Sequence, residues 1–218
     1  KAIHDMMPEY DYVYLGDTKR VPYGNRSHET VFKFTSEAVD YLFRKENCAI
    51  VIIACNTASA RALRKIQKEY LPNNFPNRRV LGVLIPTAEE CTKFKNVGIL
   101  ATRGTVDSDA FPKEIKKLNK NIKVFQYSAP KLAQLAEEGR NELAIPFIEK
   151  YLKSFSNKKL DALVLGCTHY PIFKNQIKKE VKKYASNKIK IISQDEIIPK
   201  KLKKYLESHR EITKKLTC

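Results

Sequence analysis

Ala49-Ile50-Val51-Ile52-Ile53-Ala54-Cys55-Asn56-Thr57-Ala58-Ser59-Ala60 decides how this chain is read. An apolar run ends at a cysteine, small hydrogen-bonding residues follow, and a helical pattern takes over. Leu160-Asp161-Ala162-Leu163-Val164-Leu165-Gly166-Cys167-Thr168-His169-Tyr170-Pro171 repeats the design. Short apolar runs bounded by turn residues suit strands covered on both faces of a parallel sheet. Each cysteine therefore falls where a strand ends and a helix begins, the edge of an open α/β sheet at which ligands bind. Backbone N–H groups and the dipole at a helix N-terminus also favour a thiolate there.

Working outward, further strands are expected at residues 11–15, 80–85, 97–101, 122–127 and 188–193. Ser27 is placed to cap a helix carrying Val31, Phe34, Ala38, Leu42 and Phe43 on one face. After Cys55, the stripe Ala58, Ala62, Leu63, Ile66 and Tyr70 marks a second helix that should end at Leu71-Pro72. Pro86 should break the strand before it, with helical pattern resuming over 89–94. The turn 102–108 precedes a helix that tolerates Pro112 in its first turn, and helices are expected at 131–138, 143–155, 172–184 and 195–208. Strands alternating with helices imply right-handed βαβ units and parallel sheets. With the two cysteine motifs about half a chain apart, the expected fold is α/β. It has two pseudo-symmetric three-layer domains, residues 1–85 with 198–218 and residues 86–197, and an active site in the cleft between them.

A chain of 218 residues with 43% apolar content can bury a core. No apolar run reaches the roughly 18 residues that span a bilayer, and Lys1 to Pro8 has no signal-peptide core. The net charge of +17 raises the question of nucleic acid. The lysines fall on polar helix faces, as in Lys178, Lys179, Lys182 and Lys183, and no aromatic residues interleave with them in the manner of an RNA module, so a nucleic-acid partner is not expected. Five cysteines, at 48, 55, 91, 167 and 218, with wide spacings and no CxxC pair, argue against a disulfide framework and for the cytoplasm.

Around Cys55 and Cys167 the residues alone leave several readings open. Asn56, Thr57 and Thr168 with helix N–H groups would make a pocket for a carboxylate. Against this stands plain packing, since unpaired cysteines are often buried. A metal set of Cys55, Cys167 and His169 is too sparse for zinc, and a single cysteine nucleophile with His169 as base leaves the other thiol unexplained. Cys48, Cys91 and Cys218 have no expected chemical role, and His4, His28 and His209 read as surface residues. Asp17 and Glu137 stand beside turns, where capping or solvation explains them as well as function does.

At these residues the chain resembles the aspartate/glutamate racemase superfamily, and glutamate racemases in particular. The likeness rests on 16–24 (Gly-Asp-Thr-Lys-Arg-Val-Pro-Tyr-Gly), Arg26-Ser27, 54–58 (Ala-Cys-Asn-Thr-Ala), 101–105 (Ala-Thr-Arg-Gly-Thr), Glu137-Glu138-Gly139 and 166–171 (Gly-Cys-Thr-His-Tyr-Pro). The resemblance implies a cofactor-independent enzyme, using neither pyridoxal phosphate nor metal, that interconverts L- and D-glutamate and supplies the D-isomer for peptidoglycan. It assigns Cys55 and Cys167 as the two proton-transferring thiols, His169 as helper to Cys167 and Glu137 as an acid near that side. Pro22, Tyr23, Gly24, Asn56, Thr57 and Thr168 would hold the substrate. Relatives that favour aspartate usually differ after each cysteine, so Thr168-His169-Tyr170-Pro171 points to glutamate. An aspartate or broad amino-acid racemase is the alternative enzyme, and a non-catalytic binding or regulatory protein on the same scaffold the alternative class, some members being known to touch DNA gyrase. A homodimer is compatible with the resemblance. The family's Asp-Ser-Gly-x-Gly-Gly loop would lie upstream of Lys1, members usually continue past a segment like 205–216, and Thr87 stands where a glycine is common. The polypeptide as written is therefore expected to be a weak or inactive racemase and its complete form an active one.

Overall fold

The computed structural model describes residues 1–183 and 189–216; the expected helix end at Tyr184, the strand start at Lys188, and Cys218 lie outside the described residues. The chain divides into two compact units, Lys1–Val83 with Asp195–Cys218 and Leu84–Gln194. Among the described residues, every strand pair in both is parallel.

In the first unit β1 (Ile50–Ile53) pairs with β2 (Arg79–Gly82), Ile50 opposite Arg79 through Ile53 opposite Gly82. Alternate side chains of a strand point to opposite faces, and here both faces are covered. Val51, Ile53 and Val80 join Val31, Val39, Phe43, Ala58, Leu63 and Ile66 in one core. Ile50, Ile52 and Leu81 pack on the other side against Met7, Leu202, Leu206 and Ile212. Helix His28–Arg44 is started by Ser27, whose hydroxyl accepts from the Thr30 N–H at 3.1 Å. Its buried residues Val31, Thr35, Val39 and Phe43 recur every fourth position, and Thr35 is satisfied by donating to the Val31 carbonyl at 2.7 Å.

Two expectations fail in this unit. Residues 11–15 form no strand: Tyr12, Val13 and Tyr14 are 42%, 50% and 93% exposed. The β-preference of Tyr and Val is realised only when a neighbouring strand supplies hydrogen bonds and packing, and no described strand pairs with this segment. The helical path after Cys55 also continues past Leu71-Pro72. Asn56–Arg61 and Leu63–Lys65 lead into a wide π-type turn, Ile66–Tyr70, and then Leu71–Asn74. Pro72 falls in the first turn of that last segment, directly after the wide turn.

The second unit holds a four-stranded sheet. Its strands are β3 (Asn96–Ala101), β4 (Lys123–Ser128), β5 (Ala162–Gly166) and β6 (Lys190–Ser193), in the order β4-β3-β5-β6. β5 is buried along its whole length, as its unbroken apolar sequence requires. Leu100, Leu163, Leu165 and Ile191 face helices Pro130–Glu137, Ile145–Lys153 and Lys174–Val181. Helix Leu84–Cys91 packs on β5, β6 and helix Ala110–Leu118. Pro86 corrects the expected break: β2 ends at Gly82, and Pro86 sits in the first turn of Leu84–Cys91, where N–H groups have no intrahelical acceptor. An added Cβ on Gly166 would come within 3.1 Å of the Ala101 Cβ and 3.2 Å of the Leu100 carbonyl, so glycine lets β5 and β3 close up just before Cys167.

Candidate functional site

In the first unit, β1 ends and Cys55 caps helix Asn56–Arg61 in extended conformation. Its carbonyl accepts from the Ser59 N–H at 2.9 Å, and the Ser59 hydroxyl reaches back to the Ile53 carbonyl at 2.9 Å. These bonds tie the strand end to the helix start and fix where the thiol stands. Cys55 is half-buried, while Asn56 and Thr57 are each only 2% exposed.

Beside Cys55 lies the turn Tyr23–Asn25, entered through a cis peptide at Val21-Pro22. Pro22 is exposed, and Tyr23 and Gly24 are half-buried. Tyr23 packs on the core that includes Cys55. Its hydroxyl donates to Asp17 Oδ2 at 2.5 Å, and Arg20 Nε pairs with the same oxygen at 2.7 Å. Burial, then the Asp17 hydrogen bond, drives the Tyr23 phenol far above its ordinary titration range, and negative charge on Cys55 adds to this. Burial alone would raise the Asp17 carboxyl, but the hydrogen bonds from Arg20 and Tyr23 bring it below its usual value. Asp17 is thus held as an anion whose Oδ2 is engaged by its own loop.

In the second unit, β5 delivers Cys167 at 5% exposure, followed by exposed Thr168 and half-buried His169. Cys167 Sγ lies 3.5 Å from His169 Nδ1, and His169 Nε2 lies 3.5 Å from Glu137 Oε1. A thiol, an imidazole and a carboxylate therefore stand in a line, the order in which a proton is shuttled. Glu137 ends helix Pro130–Glu137, and the stop is built by Gly139 at φ +68°. The Arg140 N–H bonds the Leu135 carbonyl at 2.9 Å and the Gly139 N–H bonds the Ala136 carbonyl at 3.3 Å, a Schellman cap.

Tyr170 joins the two sides of this line. Fully buried, it donates its hydroxyl to the Ala129 carbonyl at 2.7 Å, at the head of the helix that carries Glu137. Burial, then the neighbouring Cys167, raises its phenol well above the ordinary value, so it stays a neutral donor.

The structure thus brings Tyr23, Cys55, Asn56 and Thr57 together in one unit and Cys167, Thr168, His169 and Glu137 in the other. Tyr170 is absent from the candidate residues above, and Asp17 stood there with capping as an equal explanation; an acid six residues before a tyrosine carries no periodic signal. Thr102 and Thr105 are absent from them as well. Ala101 pairs with Gly166, so Thr102 follows β3 as Cys167 follows β5, on the same sheet edge. The two threonine hydroxyls are 3.0 Å apart. Among the described residues no three His, Cys, Asp or Glu side chains gather as a metal-binding group, and no helix is long and apolar enough to cross a membrane.

Residues 1–194 match the family model described as Asp/Glu/Hydantoin racemase. The chain is 40% identical over 183 residues to a glutamate racemase of Sulfurihydrogenibium sp. (strain YO3AOP1), covering 82% of this chain and 68% of that one. It is 39% identical over 211 residues to glutamate racemase 1 of Caldanaerobacter subterraneus subsp. tengcongensis, covering 94% and 74%. Among solved structures, glutamate racemase isoform RacE1 from Bacillus anthracis superposes with a TM-score of 0.85 at 31% identity, covering 97% of this chain and 77% of that one. The glutamate racemase of Francisella tularensis in complex with D-glutamate gives 0.85 at 30% identity, covering 96% and 76%.

Proposed function

From the premise that the chain belongs to the Asp/Glu/Hydantoin racemase family, we propose that it interconverts L- and D-glutamate, with Cys55 and Cys167 as the two proton-transferring groups. Inversion at the α-carbon removes a proton from one face and returns one to the other. A single base reaches both faces poorly; a thiolate and a thiol, exchanging roles with the direction of turnover, do it directly. The carbanion that forms is stabilised by hydrogen-bond donors fixed beforehand. Asn56, Thr57 and Thr168, with the backbone N–H groups of Tyr23 and Gly24, fill that role, and together with Pro22 they hold the substrate's carboxylates and amine. These steps require no cofactor as an electron sink. In this reading the D-glutamate supplies peptidoglycan assembly in the cytoplasm.

The observation that carries the proposal is the Cys167–His169–Glu137 line. Buried packing has no need of an imidazole and a carboxylate in sequence behind a sulfur. His169 takes or supplies the Cys167 proton, and Glu137 holds the ring. The test is α-proton exchange and inversion in heavy water with L-glutamate, D-glutamate and L-aspartate in parallel. In a chain that turns over glutamate, the expected result is inversion reduced roughly 10²–10⁴-fold by Cys55→Ser or by Cys167→Ser. Faster turnover of aspartate would move the assignment to an aspartate racemase, and inversion that survives either substitution would end the two-thiol reading.

A further inference from the structure

The turn beside Cys55 is pinned by residues that the chemistry above does not use. Thr18 to Arg26 has only two short 3₁₀ turns, and ordering such a segment carries a large entropy cost. At its head, Asp17 Oδ2 holds both the Tyr23 hydroxyl and Arg20 Nε. Arg20 Nη1 reaches Glu37 Oε2 on helix His28–Arg44 at 2.5 Å, and its guanidinium lies 4.3 Å from the centre of the Phe34 ring on the same helix. Phe34 and Tyr23 face each other with ring centres 6.0 Å apart. At the tail, the Arg26 carbonyl accepts from Arg61 of the helix that begins after Cys55. The loop is thus bound to one helix through a carboxylate–guanidinium–carboxylate chain and to another through Arg61. The Tyr23 hydroxyl is engaged by Asp17 and turned to this chain.

We propose that Asp17 and Arg20 are positioning residues that hold the Tyr23–Asn25 turn in its ligand-binding conformation beside Cys55; the inference rests on reading that turn as part of the glutamate site. Neither side chain touches substrate in this account. A planar guanidinium bridges two carboxylates in a way an ammonium does not, so lysine at position 20 keeps the charge and loses the clamp. When only a fraction of molecules has the turn in place, apparent affinity falls by that fraction while turnover of saturated enzyme is kept.

The test is steady-state kinetics of Asp17→Asn, Arg20→Lys, Tyr23→Phe and the Asp17→Asn/Tyr23→Phe pair. The expected result is a rise in KM of about tenfold for each single variant with kcat within twofold, and a double variant no worse than the singles, because removing either partner breaks the same bond. A structural role alone would not move the second readout. The Tyr23 phenol, isolated as the absorbance titration difference between each protein and its Tyr23→Phe counterpart, should ionise at lower pH in Asp17→Asn. Asp17, Arg20 and Cys55 are the charged or titratable groups that act on it. Glu37→Gln, at an exposed position, guards against misfolding and should raise KM by a smaller factor. An unchanged KM in Asp17→Asn, or a fall in kcat with KM unchanged, overturns the proposal. A protein that turns over neither enantiomer, the outcome the resemblance leads one to expect for the polypeptide as written, gives no KM to compare. The clamp is then decided by amide hydrogen exchange of residues 18–26, where acceleration in Asp17→Asn supports it and no change overturns it.

Discussion

A cysteine is defined by what surrounds its sulfur, and this chain offers a contrast. Cys91 is wholly buried, and its Sγ donates to the Thr87 carbonyl at 3.2 Å. Burial, then the nearby Glu90, pushes its thiol up to about 12 from an ordinary 9.0. Cys55 is half-exposed on a strand end. Alkylation requires the thiolate. A thiol that titrates at about 12 has a thiolate fraction at pH 8 of only about 10⁻⁴, and the buried Cys91 sulfur is also out of the reagent's reach. Iodoacetamide applied to the folded protein at pH 8, followed by peptide mass spectrometry, should therefore label Cys55 and leave Cys91 intact. Denaturant should make both react at similar rates. Labelling of Cys91 at the rate of Cys55 in the folded state would show that its surroundings open readily. Cys91 lies buried against the Thr87 carbonyl of its own helix, and that shielding is what sets its sulfur apart from Cys55.

At the scale of elements, the Schellman cap after helix Pro130–Glu137 makes a sharp prediction. Gly139 has φ +68°, and a Cβ placed there would touch nothing within 4 Å. The cost of Gly139→Ala is thus conformational only, about 1 kcal/mol, with asparagine costing less because it tolerates this region better. Urea unfolding of the three proteins should order them glycine, asparagine, alanine. Equal midpoints would mean that the turn relaxes out of the left-handed conformation when substituted. Such caps were partly legible: Ser27 was readable because an N-cap serine is local chemistry. The strand that ends at Cys167 was readable because complete burial leaves an unbroken apolar run. Residues 11–15 were misread because a strand needs a neighbour, and alternating tyrosines and valine carry no record of whether one is present. Pro72 and Pro86 were misread as stops because proline ends a helix or opens one depending on which turn it occupies, and that register is set by packing. At the site, the two sulfurs were visible as motif endpoints. The links from Tyr23 to Asp17 and from Tyr170 to Ala129 were not, since they join residues whose spacing follows no period.

At the scale of the whole molecule, each compact unit ends one parallel strand in a cysteine, and the racemase reading requires that the two act on one carbon. Isotopes test that requirement without structural assumptions. A single base would take the α-proton and could hand the same one back, so product formed in heavy water would retain some protium. With two thiols, the hydrogen delivered comes from a group already equilibrated with solvent. The first D-glutamate made from protiated L-glutamate should then be fully deuterated at the α-carbon while the remaining L-glutamate is still unlabelled, as chiral separation and mass spectrometry would read it. The variants sharpen this. With one thiol replaced by serine, the other still removes and returns a proton on its own face, because a hydroxyl is too weak a base to take its place. Cys55→Ser and Cys167→Ser should each catalyse exchange without inversion, one acting on L-glutamate and the other on D-glutamate. Exchange of the same enantiomer by both variants would mean that the thiols do not serve opposite faces, and the division of labour between the two units would have to be abandoned.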